Sequence, residues 1–246
     1  TVRDLLTHTS GLTYHFWEYG PVEQMYRETR VSSRKPLQEF VADLLELPLA
    51  LQPGTAWRYS YAHDVVAHLI ELMSGQSVDA YLHENVFDPL GMVDTGYDVP
   101  QHKLDRLASM YGTGELFEPD MTASKWYQDA AVAGSRRIAA STDSLESGPH
   151  EVFRGGHGLV STARDYYQFC QMLLNNGELG GTRVLSRKTV ELLVANQLLP
   201  ELLPFEMGGI YQRGYGFALG MGLLLDVGQA QIPGSVGQYG WGGAAT

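Results

Sequence analysis

Eight histidines in a chain of 246 residues invite a search for a metal centre. His83-Glu84 begins the spacing of a zinc-protease helix, but the second ligand would fall four residues after His83, where Phe87 stands. His63 and His68 are five residues apart and point to different faces of a helix. His150 and His157 have no carboxylate at a ligand spacing, so the distribution predicts no catalytic metal. No Walker-type or dinucleotide-binding glycine pattern occurs, and no cofactor is expected. Among nucleophiles, a Gly-x-Ser-x-Gly elbow is absent, which argues against an α/β-hydrolase. One Ser-x-x-Lys pairing exists, Ser32 with Lys35; on a helix the two would share a face, and the amine could deprotonate the hydroxyl. Arg34, Lys35 and Pro36 give that stretch charge and a helix start in place of the apolar phase that buries an active serine helix, so the match is read as chance.

The elements that would position a site follow from apolar periodicity and capping residues. Thr1 and Asp4 form a capping-box pattern at the head of "TVRDLLTHTSGL", a short helix expected to close at Gly11. Tyr14, His15, Phe16, Trp17 and Tyr19 then make an aromatic stretch, read either as ordinary core aromatics or as a loop or short helical piece lining something concave. Leu37, Phe40, Val41, Leu44 and Leu45 predict a helix over 37–47 that Pro48 stops. Val65, Val66, Leu69, Ile70 and Met73 predict one face of a helix ended by Gly75, and Ser77 caps the next. Residues 96–149 show scattered Gly, Ser, Thr, Asp and Pro, expected as loop with short strands. Thr162 with Asp165 repeats the capping-box spacing, with Ala163, Tyr166, Tyr167, Cys170, Leu173 and Leu174 on one helical face. Ser186 caps a helix through Val194, and "GYGFALGMGLLLDVG" and "GQYGWGGAAT" are expected as two strands.

Composition bounds the partners. Seventeen basic against 28 acidic residues give a net charge of -11, which repels nucleic-acid phosphates and anionic lipid surfaces. No apolar run reaches the ~20 residues of a membrane span. Cys170 is the only cysteine, so no intrachain disulfide can form, and a buried structural thiol is expected. The chain opens at a helix start with no leader, so any signal peptide is expected upstream; the sequence assigns neither a compartment nor an oligomeric state.

Four stretches carry a family resemblance. "TVRDLLTHTSGL" resembles the segment that follows the Ser-x-x-Lys nucleophile in the serine β-lactamase-like hydrolases: class C β-lactamases, penicillin-binding proteins and family VIII carboxylesterases. "PGTAWRYSYAHDVVAHLIELMSGQSVDAYLHENVFDPLGM" is similar to their second motif with the helix pair behind it. "GGHGLVSTARDYYQFCQMLLNNGELGGTRVLSRKTVELL" resembles a later helical segment, and "GWGGAAT" the third motif. The four occur in the family's order and together span nearly the whole chain, and their combination is far more specific than any one alone.

The resemblance implies that Tyr59 is the tyrosine of the Tyr-x-Asn motif, which takes the nucleophile's proton and returns it to the leaving group. A free phenol with pKa about 10 does this badly near neutrality, and in the family the motif lysine favours the phenolate. Two departures favour an esterase over a β-lactamase or peptidase. Tyr61 replaces the motif's Asn, which in β-lactamases helps hold the acyl-amide group, and Trp241-Gly242-Gly243 stands where Lys-Thr-Gly is common and resembles the family VIII esterases. Trp241 suits an uncharged ester, Gly242 and Gly243 admit substrate to the strand backbone, and the N–H of Ala244 is expected as one oxyanion donor. Tyr61 is carried with these four as an oxyanion and substrate-binding candidate. His8, Trp57 and His157 are expected to pack or support.

The expected fold class is α/β of the α+β type: an antiparallel sheet flanked by helices with a mainly helical subdomain, β-lactamase/transpeptidase-like and incomplete. Residues 1–150 are expected as the mainly helical subdomain with a long loop, and residues 151–246 as helices and strands of the α/β part, with the third-motif strand cut at its end. The expected activity is acyl transfer through a serine acyl-enzyme, chiefly on small carboxylic esters. The alternatives are a β-lactamase or D-alanyl-D-alanine carboxypeptidase, or a catalytically dead relative that binds ligand. The expected partner is a small-molecule ester or lactam, not nucleic acid or membrane, and a chain without the upstream serine should be inactive alone. The deciding expectation is geometric: Tyr59 and Ala244 must face a common hollow.

Overall fold

Capping chemistry decides where the helices begin. A computed structural model of the chain describes residues 1–16, 20–29, 35–112, 136–139 and 153–243. Helix α1, Val2–Leu6, starts on a complete capping box between Thr1 and Asp4. It ends at Leu6, before Gly11, because the N–H groups of Thr7, His8 and Thr9 turn back onto the carbonyls of Arg3, Leu5 and Asp4. Helix α2 spans Pro21–Glu28, with its proline in the first turn where the missing N–H costs nothing. Helix α3, Leu37–Leu45, buries Leu37, Phe40, Val41 and Leu44, the face its spacing predicts. Helix α4, Ala62–Ser74, stops at Gly75, which adopts a left-handed φ of 72°. Ser77 caps α5, Val78–Leu82, which passes through a π turn at His83–Phe87 into α6, Asp88–Leu90.

A 3₁₀ turn, Gln101–Arg106, and two antiparallel strands, β1 (Met110–Gly112) and β2 (Arg136–Ala139), follow. Thr162 caps α7, Ala163–Leu174, but the box is not reciprocated. Asp165 is buried and its carboxylate instead accepts the Asp94 N–H at 2.7 Å and the Thr95 hydroxyl at 3.0 Å, tying the helix to the chain before it. Strands β3 (Glu178–Leu179) and β4 (Thr182–Arg183) form a hairpin, and Ser186 caps α8, Arg187–Leu193. A second hairpin joins β5 (Glu206–Met207) and β6 (Ile210–Tyr211). The last sheet holds β7 (Tyr215–Phe217), β8 (Gly222–Leu224) and, after the short α9 (Val227–Ala230), β9 (Tyr239–Gly240), all antiparallel in that order. The stretch expected as one strand over 214–228 is therefore a hairpin. Gly220, at φ 88°, turns it, and its N–H bonds the Leu6 carbonyl at 2.9 Å.

Two helical faces differ from their spacing. In α4 the buried residues are Ala62, Asp64 and Ala67, Val65 is partly covered, and Met73 is 87% exposed. In α7 the buried residues are Asp165, Met172 and Leu173, while Tyr166, Tyr167 and Leu174 face outward and Cys170 is only half-buried. The side chains that meet another element are chosen by the Asp64 and Asp165 anchors, which rotate each helix away from its most apolar stripe.

Three apolar clusters hold the elements together. The first gathers Leu12, Tyr14, Tyr26, Phe40, Leu44 and Tyr61 around α3 and α4. The second joins Phe87, Leu90 and Met92 to Met172, Leu173 and Val190. The third packs Trp57 on Leu198, Phe205 and Phe217. Both of the latter draw on residues either side of position 150. Among the described residues no helix is long and apolar enough to cross a membrane.

Candidate active site

The segment carrying Tyr59 is clamped from below by the segment that follows α1. The N–H of Gly54 bonds Thr9 O at 2.8 Å, and that of Arg58 bonds His8 O at 2.7 Å. Gly11, at φ 82°, lets the two runs touch: a Cβ there would sit 2.0 Å from the Leu51 carbonyl oxygen. Arg58 then reaches Glu23 at 2.9 Å, and Thr13 donates to the same carboxylate oxygen at 2.9 Å. Glu23 is 3% exposed, so this pair is desolvated, and breaking it would leave a buried charge.

Above this clamp Tyr59 is half-buried and ringed by aromatic side chains. Its ring centroid lies 4.9 Å from His8, 5.0 Å from Tyr14, 5.4 Å from Trp241 and 6.2 Å from Trp57. The Trp241 indole N–H approaches the Tyr59 hydroxyl oxygen at 3.4 Å, across 182 positions of sequence. Tyr14 also hydrogen-bonds that hydroxyl. Burial pushes the Tyr59 phenol above its ordinary value; the hydrogen bonds from Trp241 and Tyr14 oppose the rise, and the Asp64 charge adds to it. An aromatic phenol held by two donors can store and return a proton, provided that a cation or a nucleophile's field offsets its desolvation.

Trp241 is 37% exposed and directly follows β9, with Gly242 and Gly243 exposed beside it. It also walls a cavity of about 330 Å³ shared with Phe205, Met207, Tyr215, Tyr239 and Gly242. Among the described residues no charged side chain lines that cavity, whose lining residues with polar side-chain atoms are Gln212, Gln238, Tyr215, Tyr239 and Trp241. Ala244 lies outside the described residues; its neighbours Trp241 to Gly243 are the part of the third motif seen here.

Tyr61 touches this group only through Tyr14, whose ring centroid lies 4.4 Å from its own. It is 4% exposed, packs on Tyr26 and Phe40, and its hydroxyl meets His15 Nδ1 at 2.5 Å. Its side chain turns into the first cluster because it is the residue preceding α4, and that burial raises its phenol far above the ordinary value. Lys35 is engaged by Asp43 of α3, and Ser32 lies outside the described residues.

Tyr14 and Asp64 lie around Tyr59 although the residue patterns did not select them, and His8, expected to pack or support, lies there too. His8 sits directly under Tyr59 at φ 55°, with Nδ1 3.2 Å from the Ser60 hydroxyl; burial, then His63, depresses it well below its ordinary value. Tyr14 was within the aromatic stretch for which lining a concavity was one reading, the one signal that pointed to it. Nothing in the spacing marks Asp64. Among the described residues no cluster of three metal-ligating side chains is found.

The beta-lactamase family model matches residues 1–246. Protein Rv1367c of Mycobacterium tuberculosis is 33% identical over 99% of this chain and 57% of its own length. The lovastatin esterase of Penicillium rubens is 26% identical over 100% of this chain and 59% of its own. Among solved structures, EstCE1, a hydrolase with promiscuous acyltransferase activity, superposes with a TM-score of 0.70 at 23% identity, covering 96% of this chain and 59% of that one. The chain thus spans less than two thirds of the relatives it matches. Its helices and small antiparallel sheets have the β-lactamase/transpeptidase fold, and the chain belongs to the beta-lactamase family.

Proposed function

We propose that the protein carrying this chain is a serine hydrolase that cleaves small, uncharged carboxylic esters, with Tyr59 as its proton carrier. The observation that carries this reading is the meeting of Tyr59 and Trp241, which joins the second and third motifs at one partly exposed point. In the proposed reaction a serine outside these 246 residues attacks the ester carbonyl, and Tyr59, held as the phenolate by a cation that also lies outside these residues, takes the serine proton. The same proton passes to the departing alkoxide as the C–O bond breaks, leaving an acyl-serine that water then hydrolyses. The Ala244 N–H is the proposed oxyanion donor, and Gly242 and Gly243 let the acyl group reach it.

The uncharged lining of the adjoining cavity and the indole at position 241 support an ester over a substrate whose carboxylate needs a cationic partner. The name of the lovastatin esterase supports the same reaction class. An acyltransferase reading, in which an alcohol replaces water, is favoured by one further observation: Monacolin J acid methylbutanoyltransferase of Aspergillus terreus is 28% identical over 82% of this chain. The test uses the full-length protein. Hydrolysis of p-nitrophenyl butyrate that exceeds turnover of nitrocefin and of a D-Ala-D-Ala peptide is the expected result. The reverse order would replace the esterase reading, and no turnover of any of the three would leave a ligand-binding relative.

A further inference from the structure

Asp64 is a buried carboxyl group that the proposed reaction does not use. It stands in the first turn of α4 and is 1% exposed. Its Oδ1 accepts the N–H groups of Gly155 at 3.1 Å and Gly156 at 3.5 Å. Its Oδ2 is buried and has no hydrogen-bond partner. A Cβ built on Gly156 would lie 3.0 Å from the Tyr14 hydroxyl oxygen and 3.3 Å from Oδ2, so the two oxygens flank one point above the bare face of that glycine. The Tyr14 hydroxyl is the same one that holds Tyr59.

A phenol has a single proton to donate. An ionised carboxylate oxygen with no donor is far costlier in an interior than a neutral acid. Once ionised, Oδ2 competes for that one hydroxyl proton. We propose that Asp64 is a positioning residue for Tyr59 that acts through Tyr14: the neutral acid leaves Tyr14 donating to Tyr59, and the carboxylate draws the hydroxyl away across Gly156. The inference rests on the reading of Tyr59 as proton carrier.

Among the described residues the groups facing Asp64 are Arg154 and His157 from the loop after residue 153, Tyr14 from the loop after α1, Tyr59 and Tyr61 from the approach to α4, His63 from α4 itself, and Tyr97. Burial raises the carboxyl above its ordinary value, and it outweighs His157, Arg154 and the two glycine N–H groups, which favour the anion.

The test follows Tyr Cζ resonances by NMR in the full-length protein, with Tyr14→Phe and Tyr59→Phe giving the assignments. Tyr14 and Tyr59 are expected to share an inflection well below their own titrations, at the pH where Asp64 ionises, and Asp64→Asn is expected to abolish it. In Asp64→Asn the Tyr59 midpoint should fall by about one pH unit, and in a Tyr14→Phe background the same substitution should move it by less than half as much. Absence of the shared inflection, or an equal shift with and without the Tyr14 hydroxyl, overturns the proposal. If Asp64→Asn does not fold, the decision rests on the inflection at Tyr59 in the unmodified protein: its loss in Tyr14→Phe supports the proposal, and its persistence overturns it. No turnover enters these measurements, so a Tyr59→Phe enzyme that stays active would remove the catalytic reading independently.

Discussion

The two halves of the candidate site are held in opposite ways. Tyr59 stands on a segment fixed by backbone pairing to residues 8–9, a buried Arg58–Glu23 pair and a close glycine contact, with His8 and Ser60 buried beneath it. Trp241 sits just past a two-residue strand, exposed, touching the rest of the molecule chiefly through the aromatic rings of Tyr59, Trp57 and Phe217. The contrast fits the two duties proposed for them. A proton carrier must be placed to a fraction of an ångström, whereas a wall for uncharged acyl groups needs area and shape more than fixed polar bonds.

The largest expected break of this comparison is chemical. Tyr59→Phe in the full-length enzyme should lower kcat/KM for p-nitrophenyl butyrate by about a hundredfold to ten-thousandfold, the usual worth of general acid–base help, with KM little changed. Next comes the clamp. Glu23→Ala removes the buried carboxylate that Arg58 and Thr13 share and should destabilise the fold by about 3–5 kcal/mol, read from a urea midpoint. At the other half, Trp241→Phe keeps an aromatic wall and loses the donor. It should cost about fivefold in kcat, the equivalent of a hydrogen bond of about 1 kcal/mol, while Trp241→Ala shifts the preference among acyl-chain lengths without moving the urea midpoint.

The clamp side should also respond to acid. Burial holds His15 down from 6.5 to about 4, and His8 and His63 are lowered in the same direction. A base whose folded value is depressed contributes stability that is complete above its unfolded value. That stability is lost as pH falls, because the unfolded chain takes up protons first. The urea midpoint should therefore decline from about pH 6.5 toward pH 4, the window set by His15. The smallest effect belongs to the exposed ion pairs: Arg106→Ala, which removes a partner of Asp94 at 2.7 Å on the surface, should leave both the midpoint and the activity unchanged.

What could be foreseen divides by the range of the interaction. Thr1, Ser77, Thr162 and Ser186 announce helix starts because a cap is satisfied within three residues, and Gly75 announces an end because it takes the left-handed φ that other residues avoid. The motif order placed Tyr59 and Trp241 in one site. The faces of α4 and α7 were not legible, because Asp64 and Asp165 orient them through partners 91 and 71 positions away. The hairpin over 215–224 was hidden in a run of glycine and apolar residues, where Gly220 looks like its neighbours until the Leu6 carbonyl meets it. Tyr61 was assigned a substrate role from its place in a motif, yet a ring next to a helix start with His15, Tyr26 and Phe40 around it is drawn inward by burial.

The indole at position 241 has a property that the phenol it meets does not share: its nitrogen can give a proton-sharing contact and never take one. Whatever the charge on the Tyr59 oxygen, the polarity of that contact is the same, and it tightens as the oxygen becomes anionic. A lysine in the same place would attract the anion more strongly but would also invite any anionic visitor into the mouth of the site. The ring therefore lets one residue sense the electrical state of its neighbour while remaining indifferent to the charge of the molecules that approach.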